Sequence, residues 1–214
     1  MSRKKEWTKI ISAFILAAGL ITLSGCAGVD KDNKTLVELK SDGQIKQTIV
    51  DDAEEDVTGE ELENYVNENI NAFEGTGESI SVESCRVRSG KVNISLNYSS
   101  ANAYAAFNNV SCFNGTVKEA YEAGYNFDRN FYALNGVKIP YFTLLSLCTD
   151  CKILILEEPV EVTLPGELYI VSDGVTVEDD GSIVIDENPD SDIPQEYQTT
   201  TQEAVYLIYK VKNS

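Results

Sequence analysis

From residue 35 onward, apolar and polar side chains mostly alternate in short runs bounded by turn residues. Residues 35–50 (TLVELKSDGQIKQTIV) read as two strands joined at Asp42-Gly43, a favoured hairpin turn. Residues 79–88 and 91–98 repeat the device across Ser89-Gly90. Val92, Ile94, Leu96 and Tyr98 there alternate with polar residues, as a half-buried strand requires. Between the hairpins the period lengthens, and Leu62, Tyr65, Val66, Ile70 and Phe73 share one face of a helix. Thr58 and Glu61 supply its capping box and Gly75 its stop. Ser100 can cap a short helix through Phe107, and Thr116 with Glu119 repeats the capping box ahead of Gly124.

The second half reads almost wholly as strands: KILIL (152–156), VEVTL (160–164), ELYIVS (167–172), VTVE (175–178), SIVID (182–186) and AVYLIYKV (204–211). Pro165-Gly166, Asp173-Gly174 and Asp180-Gly181 supply turns between them. Connections this short favour antiparallel meanders over helical crossovers. The expected fold class is α+β: a ββαββ-type unit with short helices over residues 35–136, then a β-rich antiparallel part over 137–214 that can belong to the same domain. The stretch 187–202 is polar and reads as a loop.

The first thirty residues follow another pattern. Arg3, Lys4, Lys5 and Lys9 make a basic start, followed by an apolar run over 10–23. As a helix that run is about 21 Å long, short of a hydrocarbon core of about 30 Å. Basic head, short apolar middle and small residues at its end make an export signal over 1–25. Leu23-Ser24-Gly25-Cys26 resembles the lipobox of bacterial lipoproteins. That resemblance implies a diacylglycerol on the Cys26 thiol, cleavage just before it, and a lipidated tether over 26–34. It places the folded part on the extracytoplasmic face of a cell membrane, in the outer leaflet, anchored without spanning. The SDG hairpin and the LPGELYIVS segment are similar to those of small surface lipoproteins of Gram-positive anaerobes.

Composition narrows the function. Loss of residues 1–25 leaves 13 Lys/Arg against 34 Asp/Glu, a formal charge near −21. Such a surface repels nucleic acid and anionic headgroups, so nucleic acid is not an expected partner and the lipid does the anchoring. The chain has no histidine, which removes His-based triads, imidazole acid–base catalysis and histidine metal sites.

The remaining candidates each have a plain alternative. Asp186, Asn188, Asp190 and Asp192 alternate like the first ligands of a calcium loop, but Ser191 and Tyr197 stand where glycine and glutamate belong, and an exposed acidic loop explains them too. The run DDAEED at 51–56 suits the positive end of the following helix as well as a cation. Glu157-Glu158 closes a strand before Pro159, where solvated carboxylates are ordinary. Eleven of the 19 aromatic residues fall between Tyr98 and Phe142, at spacings that suit a core, or a binding platform if exposed. Cys148 and Cys151 have a redox spacing, yet they run into a strand and not a helix, which leaves structural thiols or a disulfide as the expectation. A zinc site would need Cys85 and Cys112 to converge on that pair.

The expectation is therefore a lipid-anchored, non-catalytic domain that takes no cofactor and binds an envelope protein or an extracellular ligand. Solute capture, or an enzyme using carboxylates or Cys148 and Cys151, are the alternatives.

Overall fold

The computed structural model describes residues 34–53, 57–73, 77–185 and 204–211. Strand β1 (Lys34–Leu39) turns at Asp42-Gly43 into β2 (Ile45–Asp52), Lys34 facing Val50 and Leu39 facing Ile45. Gly43 takes φ +87°, which glycine adopts without steric cost. Helix α1 (Gly59–Ala72) opens on the expected capping box: Glu61 N donates to Thr58 Oγ1 at 3.3 Å, and Thr58 N donates to Glu61 Oε2 at 3.3 Å. Leu62 and Val66 are its buried positions, while Gly75, the expected stop, lies outside the described residues. The β3 (Ile80–Arg88) and β4 (Lys91–Tyr98) pair follows, with a bulge at Glu83, and then α2 (Ala101–Asn108), capped by Ser100.

The chain then alternates short elements: β5 (Cys112–Thr116), α3 (Val117–Glu122), β6 (Phe131–Ala133), β7 (Lys138–Ile139) and α4 (Tyr141–Leu147). The strands β8 (Lys152–Leu156), β9 (Glu161–Thr163), β10 (Gly166–Ser172), β11 (Val175–Val177), β12 (Ile183–Ile185) and β13 (Val205–Val211) complete the described chain. With four helices and two sheets among the described residues, the class is mixed α+β.

One sheet runs β11-β12-β9-β1-β2-β4-β3 and the other β5-β8-β13-β10-β6-β7. Among the described residues every pairing is antiparallel except β1 with β9, which is parallel. Both sheets take strands from either side of residue 136. Residues directly opposite across a ladder share a face, so Val37, Leu39, Ile45, Ile94, Leu96 and Tyr98 line one side of the seven-stranded sheet. They form a single core with Leu154, Leu156, Val205 and Leu207 of the six-stranded sheet. The other side of that second sheet, with Ile153, Ile155, Ile170 and Ile208, packs beneath Val117 and Ala120 of α3 and Leu144 of α4. β8 is thus buried on both faces, which is why KILIL shows no alternation.

Pro165-Gly166 corrects one expectation. Gly166 does not turn the chain: it opens β10 opposite Val211, and a Cβ there would collide with the Lys210 carbonyl. Glycine is needed there because two backbones meet closely.

Candidate functional site

Three places merit a chemical reading. The first is the Cys-x-x-Cys loop. Cys148 caps the C-terminus of α4, its N–H donating to Leu144 O at 2.9 Å, and Cys151 stands just before β8. The two form a disulfide with Cα atoms 5.0 Å apart. A helix C-terminus is the negative end of its dipole, the opposite of the environment that activates a redox thiol. The loop has a structural task that sequence did not reveal. Val117 N donates to Cys151 O at 3.0 Å and Lys118 N to Thr149 O at 3.1 Å. These are donors of the first turn of α3 that have no partner within the helix. The second Thr-Glu box covers the same end, with Glu119 N donating to Thr116 Oγ1 at 3.1 Å.

The other two cysteines do not join this pair. Cys112 opens β5 opposite Leu156, at the far end of β8 from Cys151. Cys85 sits on β3, where burial first and the Glu63 carboxylate second push its thiol up to about 11. Burial, with the Glu158 charge, raises the Cys112 thiol further, so neither is a thiolate at neutral pH. Among the described residues no three His, Cys, Asp or Glu side chains are grouped to hold a metal. Asp186, Asn188, Asp190, Asp192 and the lipobox Cys26 lie outside the described residues.

The second place is a buried polar network where α2 lies on the sheet. Tyr98 Oη donates to Gln47 Oε1 at 2.6 Å. Gln47 Nε2 donates to Tyr104 Oη at 3.4 Å, and Asn108 Nδ2 to Tyr98 Oη at 3.4 Å. Tyr104 Oη in turn donates to the Glu158 carboxylate. Glu158 was expected to be solvated at a strand end, and here the structure overturns the sequence reading. The chain bends at Glu158 and carries its half-buried side chain onto a phenol that no sequence pattern assigned to it. Burial raises the Glu158 pKa above the usual carboxylate value, and the Tyr104 hydrogen bond only partly offsets that. Burial and the Glu158 charge likewise hold the Tyr104 phenol well above its usual value. The pair can keep a proton. Its chemistry is that of a core polar group satisfied by partners.

The third place is apolar and exposed. Leu134 and Val137 stand in the β6–β7 turn, and Tyr141, Phe142 and Leu147 on α4, with 53, 58, 44, 64 and 79% of their surfaces accessible. Five such side chains fall within fourteen residues, Tyr141 and Phe142 with ring centroids 6.0 Å apart. The aromatic concentration therefore divides. Tyr98, Tyr104, Phe127 and Phe131 are core, while Tyr121, Tyr141 and Phe142 are exposed. No acidic residue occurs between Arg129 and Thr149, and Lys138 is exposed in their midst.

No family model matches the chain, and neither any curated protein nor any solved structure matches it.

Proposed function

We propose that the chain is an extracytoplasmic lipoprotein, held in the outer leaflet by a diacylglycerol on Cys26, whose folded part binds an envelope protein and does no catalysis. In fold terms, residues 35–136 are taken as a ββαββ-type unit with short helices, and 137–214 as its β-rich antiparallel continuation. The anchor rests on the lipobox Leu23-Ser24-Gly25-Cys26. The binding role rests on the exposed patch of Leu134, Val137, Tyr141, Phe142 and Leu147. Large apolar side chains left on a highly charged molecule mark contact surfaces, and aromatic rings are the side chains that anchor them. The occupant that fits is a polypeptide segment with apolar side chains and a carboxylate to meet Lys138.

Two measurements test the reading. Labelled palmitate should enter the wild-type protein in cells and fail to enter Cys26→Ala; equal labelling of both removes the anchor. A photo-crosslinking residue at Phe142 should capture one discrete envelope protein. The same residue at Val177, exposed on the other sheet, should not. Identical capture patterns from the two positions remove the binding surface.

A further inference from the structure

The side of the seven-stranded sheet turned away from the core is polar, and no described element covers it. Its charges are not a sample of the whole chain. Lys34, Lys40, Lys46, Arg86, Arg88 and Lys91 stand on it, six of the eleven lysines and arginines among the described residues. Toward β9 the face also carries Glu38 and Glu161, the latter meeting Lys34 Nζ at 2.8 Å. Around the half built by β2, β4 and β3, three carboxylates, Glu38 directly opposite Lys46, Asp52 and Glu83, face five of those cations, Lys40 just past β1 among them. Two of the three are ion-paired: Lys91 Nζ meets Asp52 at 2.7 Å and Lys46 Nζ meets Glu83 at 2.7 Å. Lys40 Nζ reaches across to Asn97 Oδ1 at 3.0 Å, and Arg86 and Arg88 are exposed on the edge strand. Ser81, Thr48, Asn93 and Asn97 fill the intervals with neutral hydrogen-bonding groups.

The placement of this half adds a second argument. Lys91, Arg88 and Asp52 lie at the end of the sheet where β1 begins at Lys34. The eight residues 26–33 leave from that end, and fully extended they span at most about 29 Å. A lipid on Cys26 would therefore keep the start of β1, beside the Lys91 and Arg88 end of the basic half, within that distance of the bilayer.

We propose that the β2–β4–β3 half of this face docks on an anionic phospholipid surface, so that the folded part lies against the membrane. This rests on the anchored reading above. The acidity of the whole chain does not prevent it, because charges beyond the Debye length of about 8 Å are largely screened, whereas the face meets the headgroups directly. The β11–β12 turn, with Glu178, Asp179 and Asp180, sets the opposite edge of the sheet away from such a surface.

The test uses the lipidated protein on vesicles of phosphatidylcholine alone or with about 30% phosphatidylglycerol, at ionic strengths that change the screening. Lysine acetylation rates are read residue by residue. Lys46 and Lys91 should be modified roughly tenfold more slowly on the anionic vesicles, and the protection should disappear at about 0.5 M salt. Lys118 and Lys138, on the other part of the molecule, should be unaffected. Arg86→Glu with Arg88→Glu should abolish the difference while the protein still floats with both vesicles. Equal rates at Lys46 and Lys91 on both vesicles overturn the proposal, as does equal protection on neutral vesicles by a soluble polyphosphate, which would assign the face to a free polyanion. A protein that floats with neither vesicle shows that the anchor has failed; the unlipidated chain is then mixed with anionic vesicles, where loss of Lys46 and Lys91 protection overturns the docking face by itself.

Discussion

Glu158 keeps its proton to a higher pH in the folded protein than in the unfolded chain, because burial disfavours the charged form more than the Tyr104 hydrogen bond restores it. A carboxyl shifted upward contributes stability that is complete below the unfolded value near 4.5 and is lost as pH rises through the folded value. Glu158→Gln should melt with the wild type at low pH and above it at neutral pH, with the gap opening across the window above 4.5. A melting-temperature difference constant across that range would contradict the assignment. The comparison must be made against the variant because other carboxyls act in the opposite sense. Hydrogen bonds from Ser100 and Ser99 hold Glu78 below its usual value, and those from Thr116 hold Glu119 down, so their contributions fade as pH falls. On the other side of the same contact, Tyr104→Phe leaves both Glu158 and Gln47 Nε2 without the phenol, at a cost of about 1–3 kcal/mol measured by denaturant unfolding.

At the scale of elements, the disulfide loop and β10 carry the clearest expectations. Replacing Cys148 and Cys151 together by serine opens a four-residue loop, for which chain entropy alone gives about 2 kcal/mol. The Thr149 and Cys151 carbonyls that cap α3 would then be less well held. Amide exchange should accelerate first in α3 and only later in β8; uniform acceleration would show that the loop has no such local role. Gly166→Ala should destabilise the β10–β13 pairing, because its Cβ meets backbone and no flexible side chain could move aside. Local signals were legible in the sequence wherever their cause was local. The Thr58–Glu61 and Thr116–Glu119 boxes, the Ser100 cap, and the turns at Gly43, Gly90, Gly174 and Gly181 all depend on residues a few positions apart. The inward turn of Glu158, the seat that Thr149 and Cys151 give to α3, and the parallel pairing of β1 with β9 join residues 31 or more positions apart. No periodicity records such contacts. The short β6 and β7 gave too few alternating positions to be seen.

For the molecule as a whole, surface chemistry is divided between its two sheets. The apolar patch belongs to the edge of one and the basic face to the other. Phe142→Ser with Leu147→Ser should change stability by less than about 0.5 kcal/mol, since both side chains are mostly in water, while lowering the binding of a hydrophobic dye. Loss of several kcal/mol would show that the patch is part of the core. Net charge was legible from composition, but its distribution was not. Lys46, Arg86 and Lys91 come onto one face only when β2, β4 and β3 are in register.

The position of β13 bears on how the chain can fold. It lies between β8 and β10, in the interior of the six-stranded sheet, yet it is the last described strand. β1 likewise waits for β9, some 125 positions later, to complete its second ladder. A chain emerging N-terminus first from a ribosome therefore cannot close either sheet until most of it has emerged. Long-range pairings of this kind fold slowly. The strand order thus works as a timer, deferring the cooperative structure of both sheets until the strands from β9 to β13 are available.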